Sequence, residues 1–174
     1  ACINIGFFQI TGHGISQKNI KNICKIGNKF FNSSEKNKKK LAPKKWNKNN
    51  KNTYRGYFPN SVNGKEGLDL GDLKITPNNL KKYKSSFIEY LDLNRSFDKS
   101  SIKSLSNYFD NIFSLSELMF KGIIKLYKKW YNVPFNRNAL IVNTGLALEY
   151  LSMGKFNSTN HRVLWNKTKR MSVP

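Results

Sequence analysis

Apolar residues recur at helical spacing in two long stretches of the chain. The first covers residues 17–31 and follows Ser16, a residue type that caps helix N-termini. Its apolar members are Ile20, Ile23, Cys24, Phe30 and Phe31. The second begins at Asp98 or Ser100 and predicts a helix that ends shortly before Pro134, packed on the core along one stripe. This stripe consists of Leu105, Tyr108, Phe109, Ile112, Phe113, Met119, Phe120, Ile123, Tyr127 and Trp130.

Four short segments have the pattern of strands. Residues 7–11 form an apolar run before a glycine-rich turn, and residues 139–142 form a run typical of a buried strand. Residues 159–165 alternate between polar and apolar positions, and residues 170–174 resemble one more strand. These segments flank the helices, so the chain is predicted to have an α+β fold.

The region between the two helices is less regular. Ser34 is expected to cap a short basic helix, whereas residues 43–67 are rich in Asn, Lys and Gly and predict an ordered loop at best. Residues 54–58 are the aromatic cluster of that loop. Residues 68–80 have turn chemistry, and residues 81–93 predict one further helix.

The chain is long enough for one domain, and its charge is strongly positive. Its 174 residues include 31 Lys and Arg against 10 Asp and Glu, a formal charge of +21, which suggests a polyanionic partner. However, Arg accounts for only 5 of these residues, whereas Asn occurs 24 times, a bias that AT-rich codons produce without selection for binding. The densest basic run, residues 36–51, contains one aromatic residue, Trp46, where a platform for single strands needs several. Nucleic acid is therefore not the favoured partner.

The length of the apolar runs and the number of cysteines indicate where in the cell the protein is expected. No apolar run approaches the roughly 20 residues that span a bilayer, which excludes an integral membrane protein. Cys2 and Cys24 cannot form a disulfide-dense scaffold, so we expect reduced thiols and a cytoplasmic location. The sequence begins without Met and ends within a predicted strand, so we expect a fragment.

The chain contains two histidines, and their surroundings differ. His13 lies between Gly12 and Gly14, where its ring can hydrogen-bond the backbone of a tight turn. His161 is followed by Arg170 and Ser172, which neighbouring antiparallel strands could bring towards the same interior. An imidazole can bind a metal, and a guanidinium with a hydroxyl can bind a carboxylate.

At this point the sequence resembles the isopenicillin N synthase-like group of iron(II)- and 2-oxoglutarate-dependent oxygenases. Three collinear blocks carry the resemblance. They are residues 6–15, Asn52 with residues 55–58, and a distal block formed by residues 142–145, Leu148, Glu149, Leu151, Gly154, Ser158, Thr159 and residues 161–163. Arg170 and Ser172 complete the match at the expected spacing after His161.

The resemblance implies a fold and a division of the chain. We expect an incomplete double-stranded β-helix, or jelly roll, with an N-terminal strand and helices and one long bracing helix. Residues 1–97 would form the N-terminal dioxygenase-like region, residues 98–131 the bracing helix, and residues 135–174 the distal part of the jelly roll.

The resemblance also implies a site and a reaction. His161 would be the distal ligand of Fe(II), and Arg170 and Ser172 would hold the far carboxylate of the cosubstrate 2-oxoglutarate. His13 matches a position that is not an iron ligand. The family oxidises small organic substrates with O₂, giving succinate and CO₂; the sequence does not indicate the substrate or the oligomeric state.

The sequence departs from the family at the iron site. The family needs a His-x-Asp or His-x-Glu pair before the distal histidine, but His13 is followed by Gly14-Ile15 and His161 by Arg162-Val163. We therefore expect central strands of the barrel to be missing with two of the three ligands, and we predict that the chain as written is not a competent oxygenase. The alternatives are a basic nucleic-acid-binding module and a non-functional remnant.

Overall fold

The computed structural model describes residues 6–59, 65–83, 85, 88–121, 136–156, 158–159 and 161. The chain divides into two compact units. We call Lys18–Asp110 with Val173–Pro174 the core unit, and Ala1–Gln17 with Asn111–Ser172 the strand unit. The described residues form both helices and strands, which confirms the α+β class.

The core unit is built on helix α1, Gln17–Phe31, whose predicted bounds are confirmed. Its inward face carries Ile23, Ile26 and Phe30, three and four residues apart, as one side of an α-helix requires. These side chains form a buried cluster with residues from other segments, namely Leu41, Ala42, Tyr57, Leu93 and Leu105. The Phe30 ring stacks on Phe97 at 5.1 Å between ring centroids.

Helix α2, Glu35–Lys39, follows at once and begins as predicted. The Ser34 side chain accepts a hydrogen bond from the Asn37 backbone N–H at 3.3 Å, which is the N-cap interaction expected of serine.

The predicted loop 43–67 contains a strand that the sequence pattern did not indicate. Strand β2, Gly56–Phe58, pairs antiparallel with β3, Gly67–Asp69. Gly56 has a φ of +122°, and a Cβ there would lie 2.0 Å from the Leu41 carbonyl oxygen. The prediction of a loop was wrong here, because Gly56 does not break the strand but permits close approach of two backbones.

The helix predicted for residues 81–93 was also wrong, since the described residues of that segment form turns and irregular structure. The Glu89 carboxylate instead accepts hydrogen bonds from three consecutive backbone N–H groups, those of Thr53, Tyr54 and Arg55, at 2.7, 2.9 and 3.0 Å. These long-range hydrogen bonds satisfy backbone N–H groups of the neighbouring loop. Their contribution outweighs the local helix propensity of residues 81–93. A short helix α3, Pro77–Leu80, and a 3₁₀ turn, Leu93–Arg95, flank the segment.

Helix α4, Lys99–Lys121, confirms the start of the predicted long helix. The Asp98 carboxylate accepts from the Ser101 backbone N–H at 2.7 Å and so caps the first turn. Leu105 is buried as the stripe predicted, but Phe113 is about half exposed, so the stripe is not core along its whole length. Its predicted continuation to Trp130 lies outside the described residues.

The strand unit joins the two ends of the sequence. Strand β1, Phe7–Ile10, pairs antiparallel with β4, Leu140–Asn143, with Phe7 opposite Asn143. Both strands were predicted, but β4 alternates between half-buried and exposed positions and is not the buried strand that was expected. Alternation of this kind belongs to a strand covered on one face.

Helix α5, Leu146–Leu151, follows β4 and was not predicted. The strand predicted at 170–174 and most of that at 159–165 lie outside the described residues. The described strands form two two-stranded sheets, and the jelly roll stays a prediction. No described helix has the length and hydropathy needed to cross a membrane.

Candidate metal centre around His161

His161 is held by two contacts within the strand unit. Its ring meets the Phe7 ring edge-on, with 5.0 Å between centroids and 70° between planes. Its Nδ1 atom lies 3.0 Å from the Thr159 carbonyl oxygen, and the side chain is otherwise exposed. Phe7 of strand β1 therefore packs against this imidazole and helps to fix its position.

The contact with Thr159 determines which ring nitrogen is available for a ligand. A carbonyl oxygen only accepts hydrogen bonds, so Nδ1 of His161 must carry the proton and donate. In the neutral ring the lone pair then lies on Nε2. This is the arrangement found in histidines that bind metals, where the second nitrogen donates to a carbonyl or carboxylate.

His13 has the structural role that its sequence context predicted. Its Nδ1 accepts a hydrogen bond from the Ile15 backbone N–H at 3.1 Å. The flanking Gly12 and Gly14 have φ angles of +65° and +76°, which glycine adopts without strain. The ring therefore closes the turn between β1 and α1.

Arg170 and Ser172 lie outside the described residues. Their predicted role as carboxylate-binding residues stays a prediction, as does their proximity to His161.

The structure shows whether the histidines and carboxylates of this chain could together bind iron, because both histidines and all ten acidic residues lie at described positions. Among the described residues, no three His, Cys, Asp or Glu side chains lie close enough to hold a metal ion together. The acidic residues of the strand unit are Glu117 and Glu149, and the Glu149 carboxylate accepts from the Ser158 backbone N–H at 3.0 Å. The residues present do not fit an iron site of two histidines and one carboxylate.

Sequence reasoning missed a cluster of ionisable side chains in the described part of the core unit. The Nζ of buried Lys38 is 2.8 Å from carboxylate oxygens of both Glu35 and Glu66, and the Tyr57 hydroxyl donates to Glu66 at 2.7 Å. Nothing in the basic run distinguishes Lys38 from its neighbours, so only the fold identifies it as the buried member.

Burial and hydrogen bonding together set the protonation of this cluster. Burial and the hydrogen bond to Glu66 raise the pKa of Tyr57 from 10.0 to about 12. Burial acts to raise the pKa of Glu66, but hydrogen bonds from Lys38 and Tyr57 outweigh it and hold the pKa below its usual value. Burial opposes the charge of Lys38, yet its bonds to Glu35 and Glu66 leave its pKa raised. These shifts favour the charged forms of Lys38 and Glu66 and the neutral form of Tyr57, which are the forms that the hydrogen bonds of the cluster need.

Comparison with known protein families identifies the class to which the chain belongs. Residues 1–112 match the family described as the N-terminal region of non-haem dioxygenases in morphine synthesis. Residues 70–174 match the 2OG-Fe(II) oxygenase superfamily. Each match covers more than half of the sequence, so the chain belongs to the 2OG-Fe(II) oxygenase superfamily, whose members use Fe(II) and 2-oxoglutarate and act on small molecules.

Its relatives include proteins named as flavonol synthases and as a feruloyl CoA ortho-hydroxylase. The chain is 26% identical to a flavonol synthase/flavanone 3-hydroxylase of Solanum tuberosum, over 97% of this chain and 64% of that protein. It is 26% identical to the protein of the same name from Petunia hybrida, with 97% and 65% covered. It is 24% identical to feruloyl CoA ortho-hydroxylase 2 of Arabidopsis thaliana, with 97% and 61% covered. The chain therefore spans less than two thirds of the length of these relatives.

The alignments also show a shortfall inside the matched region. The alignment with the Solanum tuberosum protein extends over 222 positions, but this chain has only 174 residues to fill them. At least 48 positions of that alignment, the difference between the two numbers, thus have no residue of this chain.

Proposed function

We propose that this chain is a member of the oxygenase superfamily with an incomplete iron site, and that it does not turn over 2-oxoglutarate as it stands. The ancestral enzymes would have oxidised a small organic molecule with O₂ and converted 2-oxoglutarate to succinate and CO₂. Membership of the superfamily supports this ancestry. The positions of the His, Asp and Glu side chains in this chain support the loss of two iron ligands.

One observation carries the proposal. His161 offers Nε2 to a metal, but the only other histidine, His13, uses its Nδ1 to accept from the backbone of its own turn. No carboxylate stands two positions after either histidine. Since Fe(II) sites of this class need three protein ligands with open positions beside them, a single imidazole holds the metal weakly.

The cosubstrate half of the site is proposed to persist in the sequence. Arg170 supplies a guanidinium and Ser172 a hydroxyl, which together suit a carboxylate. The superfamily match extends to residue 174 and so includes both residues, which supports this assignment. We propose residues 1–97 as the N-terminal region, 98–131 as the bracing helix and 135–174 as the distal jelly-roll part.

The test measures succinate formed from 2-oxoglutarate in the presence of Fe(II), ascorbate and O₂. We expect no succinate above the protein-free background from this chain, whereas the Solanum tuberosum relative assayed alongside should show that the assay is competent. Succinate production that disappears in His161→Ala but persists in His13→Ala would overturn the proposal, because another residue would then replace the missing ligands.

The alternative of nucleic-acid binding gains no support from the structure of the basic run. Its one aromatic residue, Trp46, packs edge-on against Phe58 at 5.6 Å between centroids, and the Lys45 ammonium lies 4.9 Å from the Trp46 ring centroid. The Trp46 ring thus already contacts both Phe58 and Lys45, so it is not freely available for stacking with a base. Binding that weakens steeply as salt rises would favour this alternative.

A further inference from the structure

Four exposed lysines form a row along helix α1 of the core unit. They lie three or four residues apart and are Lys18, Lys21, Lys25 and Lys29. At 3.6 residues per turn, this spacing places them within about a quarter of the helix circumference, along about 16 Å of its axis. The buried residues of α1 lie on another side of the helix, so the row is directed to solvent along most of the helix.

Helix α4 lies beside α1 and contacts it at two points. The side-chain amide of Asn22 donates a hydrogen bond to the Ser104 hydroxyl at 3.0 Å. The Nζ of Lys29 lies 3.6 Å from a carboxylate oxygen of Asp98, the residue before α4. The two helices therefore meet without a gap along the side of α1 that carries the lysines.

Two exposed lysines of α4 adjoin these contacts, Lys99 next to Asp98 and Lys103 next to Ser104 in the sequence. We call the four lysines of α1 together with these two the lysine face. Among the described residues, the one ion pair of the lysine face is that of Lys29, whose side chain is 80% exposed. An ion pair so exposed to water neutralises little of the charge.

The positive charge of the lysine face is not balanced by nearby acidic residues. Helix α1 contains no Asp or Glu. Four of the eight acidic residues of the core unit form ion pairs with basic residues outside the lysine face, namely Glu35, Glu66, Asp69 and Asp110. Lysines four residues apart on a helix repel each other, as Lys21, Lys25 and Lys29 do, and bound anions would relieve this repulsion.

We infer that the lysine face binds the surface of a membrane that contains anionic lipids. Clusters of four to eight Lys or Arg on a helix are attracted to such surfaces by charge alone. The charged side chains of this face are all lysines, and an ammonium is a point charge that imposes no fixed geometry on its partner.

The same composition disfavours other polyanionic partners. Recognition of nucleic acids favours Arg for base edges and aromatic rings for stacking, and the lysine face contains neither. Lysine is also depleted in interfaces between proteins. A broad face formed by two helices in contact fits a plane of lipid headgroups better than a single strand, which needs a groove.

The contact with the membrane is expected to be electrostatic. The apolar face of α1 is buried in the core of the protein, so this helix has no apolar side to insert among the lipid chains. Binding should therefore weaken as the salt concentration rises, because salt screens exposed charges. The lysine face lies in the core unit, whereas both histidines lie in the strand unit, so this inference does not depend on the iron site.

The experiment measures cosedimentation of the full chain with lipid vesicles at about 0.15 M salt. One set of vesicles is phosphatidylcholine with about a third phosphatidylserine, and the other is phosphatidylcholine alone. We expect binding to the anionic vesicles only, and loss of that binding as salt is added.

Two triple variants of equal net charge test whether binding depends on this face. The α1 triple carries Lys18→Gln, Lys21→Gln and Lys25→Gln and keeps the ion pair of Lys29. The control triple changes exposed lysines of other segments, Lys44→Gln, Lys48→Gln and Lys81→Gln. The α1 triple should bind the anionic vesicles about a hundredfold more weakly than the parent, and the control triple less than about fivefold more weakly. Gln and Lys have similar helix propensities, and circular dichroism checks that both variants keep their helix content.

Three results would overturn the inference. The first is absence of binding of the parent chain to the anionic vesicles. The second is an equal loss in the two triples, because the attraction would then follow net charge and not the lysine face. The third is a loss of binding to a DNA duplex in the α1 triple with unchanged binding to vesicles, since the partner of the face would then be a nucleic acid.

Discussion

At the scale of single residues, Gly56 has the most stringent requirement in the core unit. Its φ of +122° is almost restricted to glycine, and the space that a Cβ would need is occupied by the Leu41 carbonyl. The Tyr57 N–H donates to that same carbonyl at 3.1 Å, so the two backbones cannot separate without losing this bond.

Gly56→Ala should therefore lower the free energy of unfolding by about 2–4 kcal/mol, from backbone strain together with the steric clash. Urea denaturation measures the change. Gly67→Ala is the matched control on the paired strand, because a Cβ there meets nothing within 4 Å. It should change stability by less than about 1 kcal/mol, and equal effects at the two positions would contradict the role given to Gly56.

The Lys38 cluster predicts how stability depends on pH. The pKa of Glu66 is lower in the folded chain than its ordinary value of 4.5, so its contribution is present above that pH and is lost as the pH falls through the folded value. The pKa of Tyr57 is raised from 10.0 to about 12, so its contribution is present below pH 10 and is lost as the pH rises towards 12.

Glu66→Gln should lower the free energy of unfolding at neutral pH by about 1–3 kcal/mol, because buried Lys38 loses one of its two carboxylate partners. The acid limb of the stability profile should also become flatter than that of the parent chain. Urea midpoints measured across the acid range test both effects. The control Glu117→Gln, at an exposed position of α4, should stay within about 0.5 kcal/mol at neutral pH, and parallel acid limbs for parent and Glu66→Gln would refute the assignment.

At the scale of elements, α5 ends in a conformation that its sequence does not favour. The Gly154 N–H bonds the Glu149 carbonyl and the Met153 N–H bonds the Tyr150 carbonyl, which is the Schellman pattern of helix ends. Met153 occupies the left-handed position of this motif, with a φ of 51°, where glycine is the usual residue.

Met153→Gly should raise the free energy of unfolding by about 1 kcal/mol by removing this strain. Leu151→Gly is the control, because it places glycine within the last turn of the helix and should cost about 1 kcal/mol instead. Helix content and urea midpoint together measure the effects. A loss of stability in Met153→Gly would show that the left-handed geometry is not a source of strain.

The sequence predicted well those elements that are specified by local signals within their own residues, such as an apolar face or an N-cap. Helix α1 has a full apolar face, and α2 has Ser34 as its cap, so local information was sufficient. Helix α5 was missed because Gly145 provides no side-chain cap and five of its six residues are apolar, which leaves no amphipathic pattern to detect. The helix predicted at 81–93 failed because Glu89 bonds a distant loop, a contact that no local pattern reveals.

At the scale of the whole molecule, the sequence was more informative about ancestry than about the site. Separated blocks indicated the oxygenase superfamily, and the family matches confirm it. The structural role of His13 also followed from its glycine neighbours. The contact of the His161 ring with Phe7 could not be predicted, because it joins residues that are more than 150 positions apart in the sequence.

We propose that this superfamily member supplies one iron ligand where three are needed. The most direct test of this claim is anaerobic equilibration of the chain with Fe(II), followed by desalting and measurement of the iron that remains bound. We predict that the chain retains less than about a tenth of an equivalent, with no further loss in His161→Ala. Retention of about one equivalent, removed by His161→Ala but not by His13→Ala, would contradict the claim and show that this chain completes its iron site by other residues.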